Sequence, residues 1–301
     1  MAVETRRPEW LKVRLPGGPN YADLVGIMRT QQMHTVCEEA RCPNIGECWG
    51  RRTATFLILG NVCTRNCGYC AIAHGMPTEL DAAEPDRVAG AVVAMGLRHA
   101  VITSVNRDDQ QDGGAGIYAE TIRRIHRRLP SCTVEVLIPD FKGDADALGA
   151  VLEANPEILA HNIESPRRTF KVVRHGGHYE RSIELLRRVK EWGYTSFTKS
   201  SVIVGMGETV DELLETMNDL RAVDCDVLTI GQYLRPGPDY HPIDRYYTPL
   251  EFEMLREEGL ARGFKYVESG PLVRSSYRAD VQAEAVRAHR ARFGWTPALA
   301  G

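Results

Sequence analysis

The chain has 301 residues, of which 43% are hydrophobic and 26% charged, and its formal net charge is -3. This length and composition are typical of a globular protein with one large domain or two modest ones. The small negative charge provides no basic field, so we expect no nucleic-acid partner. No apolar run reaches the roughly 20 residues that cross a bilayer, and the stretch from Met1 to Trp10 lacks the apolar core of a secretion signal. We therefore expect a cytoplasmic protein with no membrane partner and, by default, a monomer.

The first part of the chain, residues 1–52, carries little regular apolar periodicity. We predict an N-terminal extension here, with a short helix from Tyr21 to Gln32. From residue 54 onward, short apolar runs rich in β-branched residues alternate with longer amphipathic stretches. This alternation is typical of βαβ units around a parallel sheet.

The alternating region predicts a strand in each apolar run and a helix in each amphipathic stretch. The predicted strands are Ala54–Leu59, Ala100–Val105, Thr133–Ile138, Ile158–Asn162, Thr195–Val204 and Val227–Gln232. The predicted helices are Pro85–Met95, Ile117–Leu129, Asp144–Ala154, Tyr179–Trp192, Thr209–Ala222 and Thr248–Arg262. A closed barrel of this type has eight units, so the α/β pattern predicts a partial (β/α)6 TIM-like barrel over residues 53–265. Residues 266–301 form a predicted C-terminal segment with a helical tail, Ala279–Phe293.

The chain contains eight cysteines, and six of them fall between Cys37 and Cys70. In a large chain without a secretion signal, clustered cysteines indicate metal or redox chemistry rather than disulfides. Cys132 and Cys225 are isolated and lie near predicted strand starts. We interpret these two as small core residues.

The first cysteine group consists of Cys37, Cys42 and Cys48, spaced Cys-x4-Cys-x5-Cys. This spacing is too wide for a Cys-x2-Cys zinc ribbon. Three thiolates at such positions can hold three corners of an iron–sulfur cluster. The spacing alone leaves three interpretations open, namely a cluster, a zinc site and three unrelated thiols.

The second group consists of Cys63, Cys67 and Cys70, spaced Cys-x3-Cys-x2-Cys directly after the first predicted strand. That position puts the group on a loop at the C-terminal end of the barrel strands, where barrel enzymes carry their chemistry. A structural zinc site takes four ligands, whereas three soft thiolates bind three irons of a 4Fe–4S cube and leave the fourth iron open. The alternatives are a zinc knuckle that borrows a residue such as His74, or a redox trio.

The second group, with Tyr69 before its last cysteine, resembles the signature of radical S-adenosylmethionine enzymes. This resemblance implies that the open iron chelates the amino and carboxylate groups of S-adenosylmethionine. It also implies reductive cleavage of the cofactor to a 5′-deoxyadenosyl radical, which abstracts hydrogen from an unactivated carbon. Cys63, Cys67 and Cys70 would then be catalytic.

The first group makes the resemblance more specific. It runs through Cys-Glu-Glu-Ala, Cys-Pro-Asn-Ile and Glu-Cys-Trp, and a tail motif Arg-Ser-Ser-Tyr begins at Arg274. With these motifs the chain resembles lipoyl synthases over nearly its whole length. The resemblance implies an auxiliary 4Fe–4S cluster on the first group, with a serine of the tail motif as fourth ligand. We expect Ser276 in that role, with Ser275 as the alternative.

The lipoyl synthase resemblance implies a sulfurtransferase that inserts two sulfur atoms at carbons 6 and 8 of an octanoyl group. That group would be amide-linked to a lysine of a lipoyl carrier domain, and the auxiliary cluster would be consumed as the sulfur donor. The implied partners are the octanoylated carrier domain, a reductant such as ferredoxin or flavodoxin, and an iron–sulfur assembly or carrier protein.

Polar residues follow or lie within several predicted strands, where strand-end turns and helix caps would also require them. Their recurrence at one end of successive strands favours a site. By the same resemblance, the candidates for holding S-adenosylmethionine are Ser104, Asn162, Glu164, Arg181 and Lys199. A basic member of this set would pair with the cofactor's carboxylate.

Two other functions are compatible with clustered thiolates. One is a different radical S-adenosylmethionine sulfur transferase, of the methylthiolating or biotin-forming type. The other is a non-catalytic iron–sulfur sensor or scaffold, which would hold fully ligated clusters. The order of the two cysteine groups and the tail motif argue against the first alternative. An assay of 5′-deoxyadenosine release would separate the second from both enzymes.

Overall fold

The computed structural model describes residues 7–13, 15–31, 33–78, 80–194 and 196–293, so the predicted element ends at Gln32 and Thr195 lie outside the described residues. The strands are, in chain order, β1 (His34–Thr35), β2 (Thr55–Ile58), β3 (Val62–Cys63), β4 (Ala73–His74), β5 (His99–Ser104), β6 (Thr133–Leu137), β7 (Ile158–Ala160), β8 (Phe197–Val204), β9 (Val227–Gln232) and β10 (Tyr266–Gly270). β3 and β4 pair only with each other, and the other strands form one 8-stranded sheet.

The order of the large sheet is β1-β2-β5-β6-β7-β8-β9-β10. Every neighbouring pair from β2 to β10 is parallel, whereas β1 lies antiparallel on β2. Strands such as β2 and β9 are buried along their whole length, as expected for a parallel sheet covered on both faces. The predicted α/β partial barrel is therefore confirmed.

Of the α-helices that the structure describes, seven lie between consecutive parallel strands, and the others lie in the N-terminal and C-terminal segments. The helices are, in chain order, α1 (Pro19–Thr30), α2 (Val36–Glu39), α3 (Ile45–Gly50), α4 (Glu84–Met95), α5 (Ala115–Arg128), α6 (Ala145–Glu153), α7 (Arg167–Val173), α8 (Tyr179–Glu191), α9 (Val210–Ala222), α10 (Pro249–Ala261) and α11 (Ala279–Phe293). The start of α9 is fixed by a capping box in which the Thr209 hydroxyl accepts the Glu212 N–H and the Glu212 carboxylate accepts the Thr209 N–H. A second capping box, formed by Thr248 and Glu251, begins α10.

The sheet is longer than the six predicted strands. Strand β10 pairs with β9 and begins at Tyr266, so the sheet continues past the boundary predicted at residue 265. Its sequence, Tyr-Val-Glu-Ser-Gly, contains one fully buried apolar residue, Val267, and therefore gives no apolar signal. At the other edge, β1 brings part of the N-terminal extension into the sheet. Three short helices, α2, α3 and α7, were also not predicted.

The N-terminal end of the barrel is closed by the tail helix. Ala283 of α11 packs with Ile158, Phe197 and Val227, which are the first residues of β7, β8 and β9. The functional polar residues are therefore expected at the opposite end of the barrel, where the strands finish and their loops converge. Within the described residues, no helix has the length and apolar character needed to cross a membrane.

Candidate active site

The second cysteine group lies on a loop that leaves the end of β2 and is closed at its base by pairing of β3 with β4. The Cys63 sulfur accepts backbone N–H groups from Arg65 at 3.4 Å and from Asn106 at 3.2 Å. A hydrogen bond from the Cys70 N–H to the Cys67 carbonyl oxygen closes a turn, so the other two cysteines of the group lie close together. The three thiols therefore lie together on this loop.

A buried ion cluster holds this loop against the barrel. Arg65 donates two bonds to Asp108, at 2.6 and 2.9 Å, and a third to Asp140 at 2.7 Å. Asp108 follows β5 and Asp140 follows β6, so the cysteine loop is tied to two strand ends. Burial would raise the pKa of Asp140, but the Arg65 guanidinium holds that pKa well below its usual range. The charged clamp thus remains ionised at neutral pH.

The three cysteines share a cavity of about 130 Å³ with three of the predicted cofactor residues. Ser104 ends β5, and Asn162 and Glu164 follow β7, so parallel strand ends bring them to the cysteine loop. Arg174, which directly follows α7, lines the same cavity.

Asn162 and Glu164 form the polar wall of this cavity. The Asn162 amide donates to a Glu164 carboxylate oxygen at 3.1 Å, while the Asn162 amide oxygen is buried without a partner among the described residues. A buried acceptor without a donor indicates a place where a ligand's N–H or O–H binds. Burial raises the pKa of Glu164, against the opposing charge of Arg174.

The backbone at Glu164 is also unusual. Its φ of 67° is in the left-handed region, which a glutamate adopts only when its surroundings impose it. Its N–H donates to Ser201 O and its carbonyl accepts from Ile203 N, both at 2.8 Å. Strand β8 therefore fixes the Glu164 carboxylate in the cavity.

The structure does not bring Lys199 to this cavity. The Lys199 side chain is fully buried, and its Nζ lies 2.7 Å from Glu135 Oε1. Both residues occupy the third position of their strands, β8 and β6, deep inside the barrel. Burial would raise the pKa of Glu135, but the Lys199 ammonium lowers it, so this pair is a core ion pair.

Arg181 also lies outside the cavity. It lines a neighbouring groove beside α8 and contacts Asp140 at 3.2 Å, on the far side of the Arg65 clamp. Two cations do line the cavity. Arg65 is bound by Asp108 and Asp140, whereas Arg174 donates to the Asn162 carbonyl oxygen. Sequence reasoning missed Arg174 because α7, which ends just before it, was not predicted as a helix.

The first cysteine group lies on the two short helices of the N-terminal extension, with Cys37 on α2, Cys48 on α3 and Cys42 between them. The three thiols line one cavity together with Ser276. Ser275, in contrast, lines a separate central cavity. Burial raises the pKa of Cys37 to about 11 and that of Cys48 to about 12. Iron binding at such thiols must displace their protons.

Three contacts hold the tail motif against this cysteine group. The Asn44 amide donates to the Leu272 carbonyl oxygen at 2.6 Å, and the Tyr277 hydroxyl donates to Glu47 at 3.0 Å. Arg51 and Asp280 form an ion pair at 2.8 Å. The cavity is therefore assembled from both ends of the chain.

A central cavity of about 570 Å³ extends between the two cysteine groups. Cys70 and Ser104 line it on the side of the second group, and Arg274 and Ser275 line it on the side of the tail motif. Its apolar wall includes Val36, Leu57, Val202, Ile203, Leu234 and Val273. Arg274 also lines the cavity of the first group, so this half-buried cation lies between the two sites.

The donor set of each group is three thiolates, which are the soft ligands of iron–sulfur clusters. Among the residues that the structure describes, no three His, Cys, Asp or Glu side chains are arranged to hold a single metal ion. The serine oxygen at the first group adds a fourth donor, while the second group is bordered by the unpartnered Asn162 oxygen.

Two family models match the chain, the Radical SAM superfamily over residues 57–220 and the N-terminal domain of lipoyl synthase over residues 2–42. The lipoyl synthase of Symbiobacterium thermophilum is 58% identical, covering 96% of this chain and 91% of that protein. The lipoyl synthase of Rubrobacter xylanophilus is also 58% identical, covering 93% of this chain and 88% of that protein. The chain belongs to the lipoyl synthase family. It is accordingly a radical S-adenosylmethionine sulfurtransferase, and membership of this superfamily implies a 4Fe–4S cluster and S-adenosylmethionine.

Solved structures support the fold of this lipoyl synthase family member. The [FeFe]-hydrogenase maturase HydG matches with a TM-score of 0.56 at 12% identity, covering 93% of this chain and 79% of that one. Streptococcus suis SuiB, bound to its precursor peptide, matches with a TM-score of 0.56 at 11% identity, covering 83% of this chain and 52% of that one. Both likenesses concern the barrel and carry no information about the substrate.

Proposed function

We propose that the chain inserts two sulfur atoms at carbons 6 and 8 of an octanoyl group carried on a lysine of a lipoyl carrier domain. The observation that carries this proposal is the central cavity, which has a largely apolar wall. It is lined by Cys70 of the second group and shares Arg274 with the cavity of the first group. An eight-carbon chain gains by burial along such a wall. When bound, the 4Fe–4S clusters and S-adenosylmethionine supply the radical that removes hydrogen and the sulfur that replaces it.

Cys63, Cys67 and Cys70 would hold the cluster that binds S-adenosylmethionine. Asn162 supports this assignment, because its free amide oxygen can accept a hydrogen bond from the amino group of the methionine moiety. Two cations border the same cavity, and Arg65 is already bound by Asp108 and Asp140. We therefore assign Arg174 to the carboxylate, in place of Arg181 and Lys199. Ser104 and Glu164 would then contact the remaining polar groups of the cofactor.

Cys37, Cys42, Cys48 and Ser276 would hold the auxiliary 4Fe–4S cluster. Ser276 is favoured over Ser275 because it lines the cavity of these cysteines. An alkoxide is a hard ligand on an iron otherwise bound by soft sulfur, which suits a ligand that leaves during the reaction. Residues 1–52 and the segment from residue 266 would thus act together, as the supports of the sulfur donor.

The proposal also includes partners and location. The octanoylated carrier domain would approach the open end of the central cavity, and a ferredoxin or flavodoxin would supply electrons. An iron–sulfur assembly or carrier protein would rebuild the auxiliary cluster after each product. We propose a cytoplasmic location, which cell fractionation tests.

Mass spectrometry of an octanoylated carrier peptide tests the function directly. Anaerobically reconstituted protein is incubated with the peptide, S-adenosylmethionine and a reductant. We expect a product that has gained two sulfur atoms and lost two hydrogens, together with release of 5′-deoxyadenosine. Release of 5′-deoxyadenosine with no sulfur in the peptide would contradict the proposed sulfur insertion. No release at all would instead match a sensor or scaffold.

A further inference from the structure

Thr55 lies where β2 meets the cavity of the first cysteine group. Its hydroxyl donates to the Ser276 hydroxyl oxygen at 2.8 Å, across 221 positions of the chain. The residue is buried, with 6% of its surface exposed, and it lines the cavity together with Ser276 and the three cysteines. This hydrogen bond therefore links the first barrel strand to the tail motif at the site itself.

The same segment also lies beside the cysteines of this cavity. Thr55 lines the cavity together with Cys37. Two residues earlier, the Thr53 hydroxyl donates to the Cys48 carbonyl oxygen at 2.9 Å. The short segment from Thr53 to Thr55 thus contacts Cys48 and Ser276 and lines the cavity beside Cys37.

Ser276 needs such a contact because little else fixes its side chain. The segment 275–278 is a turn rather than a helix or strand, and a serine side chain has three staggered positions to choose from. Among the hydrogen bonds within the described residues, the bond from Thr55 is the one that the Ser276 hydroxyl makes. The neighbouring Ser275 lines the central cavity instead.

We propose that Thr55 is a positioning residue, which holds the Ser276 oxygen at the auxiliary site and keeps Ser275 out of it. This inference rests on the proposed ligand role of Ser276. Because the bond is made by the hydroxyl of Thr55, it remains available whether or not Ser276 is bound to iron. Thr55 thereby keeps the released serine next to the site, ready to bind iron again after the cluster is rebuilt.

The test uses the full chain with Cys63, Cys67 and Cys70 changed to alanine, so that iron binds only at the first group. Thr55→Val keeps the shape of the side chain and removes the hydroxyl, and Thr55→Ser restores the hydroxyl. Thr229→Val is the matched control, since Thr229 is a fully buried strand residue whose hydroxyl has no partner among the described residues. Each protein is reconstituted anaerobically and measured by Mössbauer spectroscopy and by the rate of iron release to a chelator.

We expect Thr55→Val to lose the signal of the oxygen-ligated iron and to release iron roughly three- to tenfold faster, as the loss of one buried hydrogen bond predicts. Thr55→Ser and Thr229→Val should match the parent protein. An unchanged spectrum and release rate in Thr55→Val, with Ser276→Ala clearly altered, would overturn the positioning role alone. If Ser276→Ala is itself unchanged, the ligand role in the proposed function fails, and the inference fails with it.

Discussion

The two cysteine groups differ in the sequence separation of the contacts that hold them in place. The loop of Cys63, Cys67 and Cys70 is held by Asp108 and Asp140, which are 43 and 75 positions from Arg65. The group of Cys37, Cys42 and Cys48 is instead held against the tail motif. Its contacts from Asn44, Arg51 and Thr55 cross 228, 229 and 221 positions.

This difference follows from the fold. Parallel strands finish at the same end of the barrel, so loops after β2, β5 and β6 meet as soon as the sheet forms. The cavity of the first group forms only after the N-terminal extension and the C-terminal segment have packed on opposite edges of the sheet. A site built from distant segments costs more chain entropy to assemble. We therefore expect the two sites to fail separately when their own supports are removed.

The largest expected effect separates the two groups by their chemistry. Replacing Cys63, Cys67 or Cys70 with alanine should abolish 5′-deoxyadenosine release, because the cluster that binds S-adenosylmethionine loses a ligand. Replacing a cysteine of the first group with alanine should leave part of that release but stop sulfur insertion. Chromatography of 5′-deoxyadenosine and mass spectrometry of the peptide measure the two outcomes. Lipoyl product from a first-group variant would contradict the assigned sulfur source.

The next effect concerns the clamp on the second group. Arg65→Met should destabilise the protein by up to about 3–5 kcal/mol, because buried Asp140 then keeps only the longer contact to Arg181, at 3.2 Å, as a countercharge. Iron should be lost at the second group while the first group keeps its iron. Urea unfolding of the cluster-free protein and iron analysis measure these changes.

Arg256→Met provides the control for the Arg65 variant. Arg256 forms an exposed helical ion pair with Glu253, and such pairs contribute little. Its unfolding curve should coincide with that of the parent. Equal destabilisation in both variants would show that the clamp is no stronger than a surface pair.

A smaller effect concerns the dependence of stability on pH. It involves Asp226, which directly precedes β9, and Lys265, which directly precedes β10. Asp226 is buried between Lys190, at 2.6 Å, and Lys265, at 2.5 Å. Burial alone would raise the pKa of Asp226, but the two ammonium groups hold it below its usual value. A carboxyl whose pKa is lowered by folding adds stability that is complete above its unfolded pKa of about 3.9 and disappears as the pH falls through the folded value.

Asp226→Asn tests this linkage. The variant should be less stable than the parent at pH 7, and the difference in unfolding free energy should shrink as the pH falls below about 4. Urea unfolding of the cluster-free proteins between pH 3 and 7 measures it. A difference that stays constant over this range would show that Asp226 does not carry the effect.

The smallest effect concerns one contact of the first group. Asn44→Ala removes the amide that donates to the Leu272 carbonyl oxygen and should cost about 1 kcal/mol. Iron should then be released faster from the first group, with the second group unchanged. Site-resolved Mössbauer spectra of the reconstituted protein distinguish the two groups. Equal loss at both groups would show that the two sites are not supported independently.

Much of the barrel could be predicted from the sequence, because buried parallel strands are apolar runs and their helices are amphipathic. Strand β10 was missed since its only fully buried apolar residue is Val267. Helix α7 was missed as well, and with it the placement of Arg174 beside the second group. Ser104, Asn162 and Glu164 all line that cavity, because all three lie at or just after strand ends. Their contact with S-adenosylmethionine stays a prediction.

The sequence by itself determined the cysteine spacing, the alternation of strands and helices, and hence the family. Only the tertiary structure decided which polar residues meet, because that depends on partners distant in the chain. Lys199 has the positive charge needed to bind the carboxylate of the cofactor. Its buried side chain instead pairs with Glu135 on another strand. Ser275 and Ser276 are chemically equal in the sequence, and the hydrogen bond from Thr55 distinguishes them.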